Sequence, residues 1–172
     1  MKRTILTYGL ISGAIIILGM IATIVLSAKH SLFLGYLIML VGLPAILLAV
    51  KSHRDKVLGG VIKFWPAFLI GLGVAVVAGL AYVAIWEGYL AITHYRFMDD
   101  YTAQMLAAKK AEGLSGAAYD KLAAEMAQMT RNYANPLYRM PMTFAEIFPV
   151  GLLVALASAA LLRNPKFLPA RA

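Results

Sequence analysis

Four stretches of this sequence are too long and too apolar to belong to a water-facing fold, and they decide the architecture before any motif is considered. Residues 5–26, 32–50, 64–86 and 147–162 contain no charged side chain. An α-helix rises 1.5 Å per residue, so about 20 residues cross a hydrocarbon layer roughly 30 Å thick. Lipid offers no water to a backbone amide, and a stretch of this length must satisfy its own amides as a helix. The predicted fold class is therefore all-α: a polytopic membrane protein, a four-transmembrane-helix bundle. The spans are expected at about 4–28, 32–50, 62–86 and 144–162, with an extramembrane helical hairpin at about 97–134 between the third and fourth. All 172 residues then form a single membrane domain.

Local signals place the ends of these helices. Met1-Lys2-Arg3 before an apolar run of this length reads as an uncleaved anchor, since Leu26-Ser27-Ala28 puts a large residue where cleavage prefers a small one. Lys29-His30-Ser31 is a turn too short for a domain, so the second helix returns antiparallel. Pro44 lies inside that second helix, where a kink is tolerable if a neighbour satisfies the freed carbonyl. The helix is expected to end in Lys51-Ser52-His53-Arg54-Asp55-Lys56, with Gly59-Gly60 as the loosest point of the loop. The third helix becomes amphipathic from Trp86 to Tyr95 and is expected to project beyond the hydrocarbon. At the fourth, Thr143 and Glu146 match the S/T-x-x-E capping box, and Arg163-Asn164-Pro165 stops the helix.

The polar connector also reads as helix. Asp99-Asp100 opens a segment that Lys109-Lys110 closes and Gly113 ends, acids at the positive end of the dipole and bases at the negative end. After Leu114-Ser115-Gly116, the residues Ala118, Leu122, Met126, Met129 and Tyr133 recur every three or four positions, which is one apolar face of an amphipathic helix. Leu122, Met126, Met129 and Tyr133 are the expected hairpin face, and Asn135-Pro136 ends it.

Charge sets the expected orientation. With both termini in the cytoplasm, that side holds Lys2, Arg3, Lys51, Arg54, Lys56, Lys63, Arg163, Lys166 and Arg171 against Asp55 alone. The other side mixes seven bases with five acids. Short loops weigh most in the positive-inside rule, and they differ by three bases to one. The net charge of +8 then faces anionic head groups, so membrane lipids are the expected partners and nucleic acid is not needed to explain it.

Helices in lipid associate through small residues on shared faces. Gly9 and Gly13, then Gly71, Ala75 and Gly79, then Gly151, Ala155 and Ala159 supply such faces in the first, third and fourth spans. They serve the internal bundle or a homo-oligomer. Ionisable groups near membrane depth are the default functional suspects, and Glu87 and Glu146 qualify. Glu87 and His94 are seven apart and share a helix face, so Glu87, His94 and Glu146 form a candidate polar cluster able to bind a cation, relay a proton or grip a head group. The blander readings are a capping role for Glu146 and head-group solvation for Glu87 and His94. There is no cysteine, no H-x-x-x-H spacing and no phosphate-cradling glycine loop, so no catalytic residue, metal or cofactor is expected.

The chain resembles a family of small bacterial inner-membrane proteins known as domain of unknown function four-one-nine-nine. The resemblance rests on Leu6-Thr7-Tyr8-Gly9-Leu10-Ile11-Ser12-Gly13, on Asn135-Pro136-Leu137-Tyr138-Arg139, and on Phe144-Ala145-Glu146-Ile147-Phe148-Pro149-Val150-Gly151. It implies a bacterial inner membrane and four spans, and it supplies no activity. The expected function is a non-enzymatic accessory, assembly or scaffold role, contacting another membrane protein or a second copy through the hairpin and the small-residue faces. The alternative is a transporter or binder of a small molecule, ion or lipid that uses the outer polar cluster.

Overall fold

The computed structural model describes residues 1–25 and 32–170. The turn Lys29-His30-Ser31, the segment Leu26-Ser27-Ala28 and Arg171 lie outside the described residues. Seven helices are described: α1 (Lys2–Val25), α2 (Leu32–Gly42), α3 (Pro44–Val57), α4 (Phe64–Ile92), α5 (Phe97–Ala111), α6 (Gly116–Tyr133) and α7 (Pro136–Leu162). Four segments are long and apolar enough to cross a membrane: Lys2–Ile24, Leu37–Val57, Phe64–Ile92 and Pro136–Leu162. The pair α5 and α6 lies in the chain between the third and fourth of these and does not span. The protein is an all-helical, four-span membrane protein with an intervening helix pair.

Two compact units emerge, Met1–Ile85 with Phe144–Ala172, and Trp86–Thr143. The first wears its hydrophobic side chains outward. Leu6, Leu10, Leu18, Leu40, Leu69 and Leu153 are each more than half exposed, a surface that suits lipid and not water. Inward, the small residues let backbones close up. A Cβ on Gly9 would stand 2.6 Å from the Val77 side chain, and one on Gly13 would stand 2.6 Å from the Ala78 carbonyl oxygen, so α1 is seated on α4. On another side of α4, a Cβ on Gly71 would come within 3.0 Å of Ala155, and one on Gly151 within 3.0 Å of Ala75. Gly79 receives the Phe144 ring, and Ala159 is wholly buried in a cluster with Val50, Ile70 and Leu162.

At the proline break the helical hydrogen bonds shift, and a side chain of α1 takes up a carbonyl left over by the shift. Pro44 has no N–H, the helix breaks at Leu43, and Ile46 N–H donates to the Leu43 carbonyl at 2.8 Å. The Gly42 carbonyl thereby loses its usual donor. Ser12 of α1 replaces it, its buried hydroxyl donating to Gly42 O at 2.8 Å.

Three boundaries differ from the sequence expectation. The basic run from Lys51 to Lys56 is the last part of α3, stabilised by a Lys51–Asp55 ion pair one turn apart. Gly59 and Gly60 are a cap and not a loose loop: with φ of 66° and 94° they fold back so that Gly60 N–H donates to Arg54 O at 2.9 Å. The capping box at Thr143 and Glu146 is corrected outright, because α7 begins at Pro136 and both residues are interior to it. Asn135 starts the helix instead: its side-chain oxygen accepts from Leu137 N–H at 3.0 Å, and Pro136 at the first position needs no donor partner.

Within the second unit, α5 carries Asp99 and Asp100 in its first turn and Lys109 and Lys110 in its last, as the dipole favours. Gly113, at φ 93°, turns the chain toward α6, and α5 packs along α6. On α6, Leu122, Met126 and Met129 are half-buried and Tyr133 is buried.

Candidate functional site

The polar centre of the second unit is built around Arg139, four positions into α7 and only 2% exposed. Its Nε donates to one carboxylate oxygen of Glu87 at 2.7 Å and its Nη2 to the other at 2.6 Å, the two-pronged match that a planar guanidinium makes with a carboxylate. Nη1 donates to the carbonyls of Tyr133 at 2.9 Å and Ala134 at 3.4 Å, which close the C-terminal, negative end of α6. The guanidinium carbon lies 5.2 Å from the Tyr95 ring centroid and 5.7 Å from that of Tyr133, within cation–π range. One side chain thus ties the last turns of α4, the turn after it, the end of α6 and the start of α7.

An aromatic layer completes the arrangement. Trp86 Nε1–H donates to the Tyr133 hydroxyl at 2.8 Å, and Phe97 meets the Trp86 ring edge to face at 4.8 Å. Both polar tips are satisfied and both rings stay dry. Beside Arg139 is a cavity of about 280 Å³ lined by Leu90, Tyr95, Met98, Asp99 and Thr130 among others, just under the roughly 300 Å³ at which small-molecule pockets begin.

The three residues of the candidate cluster are placed differently. Glu87 spends both oxygens on Arg139. His94 is exposed and lies beyond the end of α4, so the shared helix face inferred from seven-residue spacing does not exist. The reason is local. Past Thr93 the backbone leaves the helix: His94 and Tyr95 take left-handed φ values of 53° and 57°, and Tyr95 N–H donates back to the Leu90 carbonyl at 2.7 Å. Glu146 belongs to the first unit, exposed on α7 and accepting a hydrogen bond from Tyr82. Among the described residues no three metal-ligating side chains converge.

Arg139 and Arg54 are the functional-looking residues absent from the sequence-predicted cluster, Arg54 having counted only as a charge and Arg139 only as a charge and within a family-like block. Arg54 is fully buried in the first unit. It donates to Asp55 at 2.7 Å, to the carbonyls of Leu162 and Phe167 at 3.5 and 2.9 Å, and to the Leu168 carbonyl, so it holds the end of α7 and the segment after it. A usable signal for Arg139 existed: a base opening one span faces an acid closing the span before it.

The family described as protein of unknown function (DUF4199) matches residues 7–164. No curated protein and no solved structure matches the chain.

Proposed function

The chain belongs to the DUF4199 family, and from that premise we propose that it is a non-enzymatic accessory or scaffold protein of the bacterial inner membrane, with both termini in the cytoplasm, whose α5–α6 pair is its contact surface for another membrane protein or a second copy. The observation that carries the reading is the use made of Arg139. A buried guanidinium with its carboxylate, two carbonyls and two aromatic rings around it is committed to holding the base of the pair in one arrangement. The outward residues of the pair, Asp100, Gln104, Lys110, Lys121, Glu125 and Gln128, are exposed and of mixed charge, as rims of transient interfaces are. The rival reading, an ion, lipid or small-molecule binder using Glu87, His94 and Glu146, draws less support. Glu87 is already paired, and the neighbouring cavity is small.

The absence of cysteine makes the test clean. Single cysteines replacing Gln104 or Glu125 are reacted in intact cells with a membrane-impermeant thiol reagent, then in membranes with a bifunctional cross-linker. Labelling from outside, together with a discrete adduct formed from these positions and not from a cysteine at Asn164, is the expected result. A protein that stays monomeric by native mass spectrometry and forms no adduct from either position refutes the contact role. Labelling only after cell rupture refutes the orientation.

A further inference from the structure

The exposed side of α7 forms a stripe of Glu146, Pro149, Leu153, Leu156 and Ala160, spaced three, four, three and four residues apart. The opposite side, Ile147, Gly151, Ala155, Ser158 and Leu162, is buried. A single carboxyl therefore sits on an otherwise apolar, outward face of a spanning helix. Its depth follows from counting. The helix has 27 residues, about 40 Å long, with Glu146 about 15 Å from its start and about 24 Å from its end. With a hydrocarbon layer of about 30 Å laid within that helix, Glu146 is at least about 6 Å inside it. Tyr82, which donates to the carboxyl, stands ten residues before the end of α4, as Glu146 stands ten after the start of α7, and the same count buries it in the layer.

Within this chain the carboxyl has a hydroxyl donor and no counter-charge: Glu146 forms no ion pair among the described residues. Nor does a second copy have one to offer. Lys51 and Arg54 are spent on Asp55, Arg139 on Glu87, and the remaining described bases of the spanning helices, Lys2, Arg3 and Lys56, lie in their terminal turns. Lipid head groups lie outside the layer. An ionisable group at this depth is expensive unless it is paired. We propose that the Glu146 stripe docks a transmembrane helix of a different protein, one carrying a lysine or arginine at the matching depth, with Tyr82 holding the carboxyl toward it. This surface is separate from the α5–α6 pair, so either can fail without the other.

The test uses a defined probe. The full-length protein, labelled at a single cysteine replacing Asn164, is reconstituted in phosphatidylcholine vesicles with a synthetic polyleucine transmembrane peptide carrying one central lysine, or with the all-leucine version. Association is read by energy transfer. The lysine peptide is expected to bind about tenfold more tightly, the scale of a polar contact between helices in lipid. That preference is expected to vanish in Glu146→Gln and to persist in Glu146→Asp, which keeps the charge if the glutamine variant folds poorly. Equal binding of both peptides by the unsubstituted protein overturns the proposal, as does a lysine preference that survives Glu146→Gln in protein with an unchanged unfolding midpoint.

Discussion

Glu87→Gln is the most revealing single change, because it removes one charge from the Arg139 network and almost nothing from its shape. The side chains of Arg139 and Glu87 are 3% and 16% exposed, so the pair is largely withdrawn from solvent. The amide keeps one acceptor but loses the charge, leaving a guanidinium buried without a counter-ion. Breaking such a pair from one side costs about 3–5 kcal/mol, because the abandoned charge remains desolvated. The loss falls on the second unit, where Arg139 also closes the end of α6. At about 1.4 kcal/mol per factor of ten, the open population of that unit rises by two to nearly four powers of ten. Hydrogen exchange read by mass spectrometry on peptides covering residues 97–111 and 116–133 measures that population directly. Peptides of α1 are expected to change little. Replacing both partners, Glu87→Leu with Arg139→Met, is expected to recover most of the protection, since no orphan charge is left. Exchange in Glu87→Gln within about threefold of the unsubstituted protein would refute the claim that this ion pair holds the unit together.

Three further outcomes are expected. Gly13→Ala and Gly42→Ala each place a methyl group where the nearest atom stands at 2.6 and 2.3 Å, and each should lower stability by about 1–3 kcal/mol in detergent unfolding, whereas Gly88→Ala, with open space around it, should not lower it. Ser12→Ala strands the Gly42 carbonyl and should cost about 1–2 kcal/mol, with a clearly smaller cost in a Pro44→Ala background where Ile46 can again donate to that carbonyl; equal costs in both backgrounds would separate the serine from the kink. Arg54→Gln should release the segment after α7, seen as faster tryptic cleavage after Lys166 with the cleavage pattern of α5 and α6 unchanged.

What could be read from the sequence was whatever depends on neighbours along the chain. The apolar runs, the dipole-matched charges of α5, the three-and-four rhythm of Leu122, Met126, Met129 and Tyr133, and the break at Pro44 are all local, and each has its counterpart in the structure. Two kinds of feature were not read. Pairings such as Arg139 with Glu87, 52 positions apart, depend on how helices are brought together. Competitions between two valid local signals were decided by strength: Thr143-x-x-Glu146 is a proper capping box, but Asn135-Pro136 starts the helix about two turns earlier and leaves the box inside it. The same holds at His94, where seven-residue spacing was sound arithmetic applied past the end of α4 at Ile92, where the backbone turns left-handed.

The position of Arg54 has a consequence for how the protein is made. The carbonyls that accept from its Nη atoms lie 108 to 114 residues downstream, so at about 5–20 residues per second they are made roughly 5–20 s after it. Until the final helix has been inserted, the guanidinium at the end of α3 has Asp55 as its counter-ion and lacks the carbonyls that later accept its Nη protons. A chain cut short before Leu162 lacks all three carbonyls, and its buried guanidinium keeps donors that nothing in the remaining sequence is placed to accept.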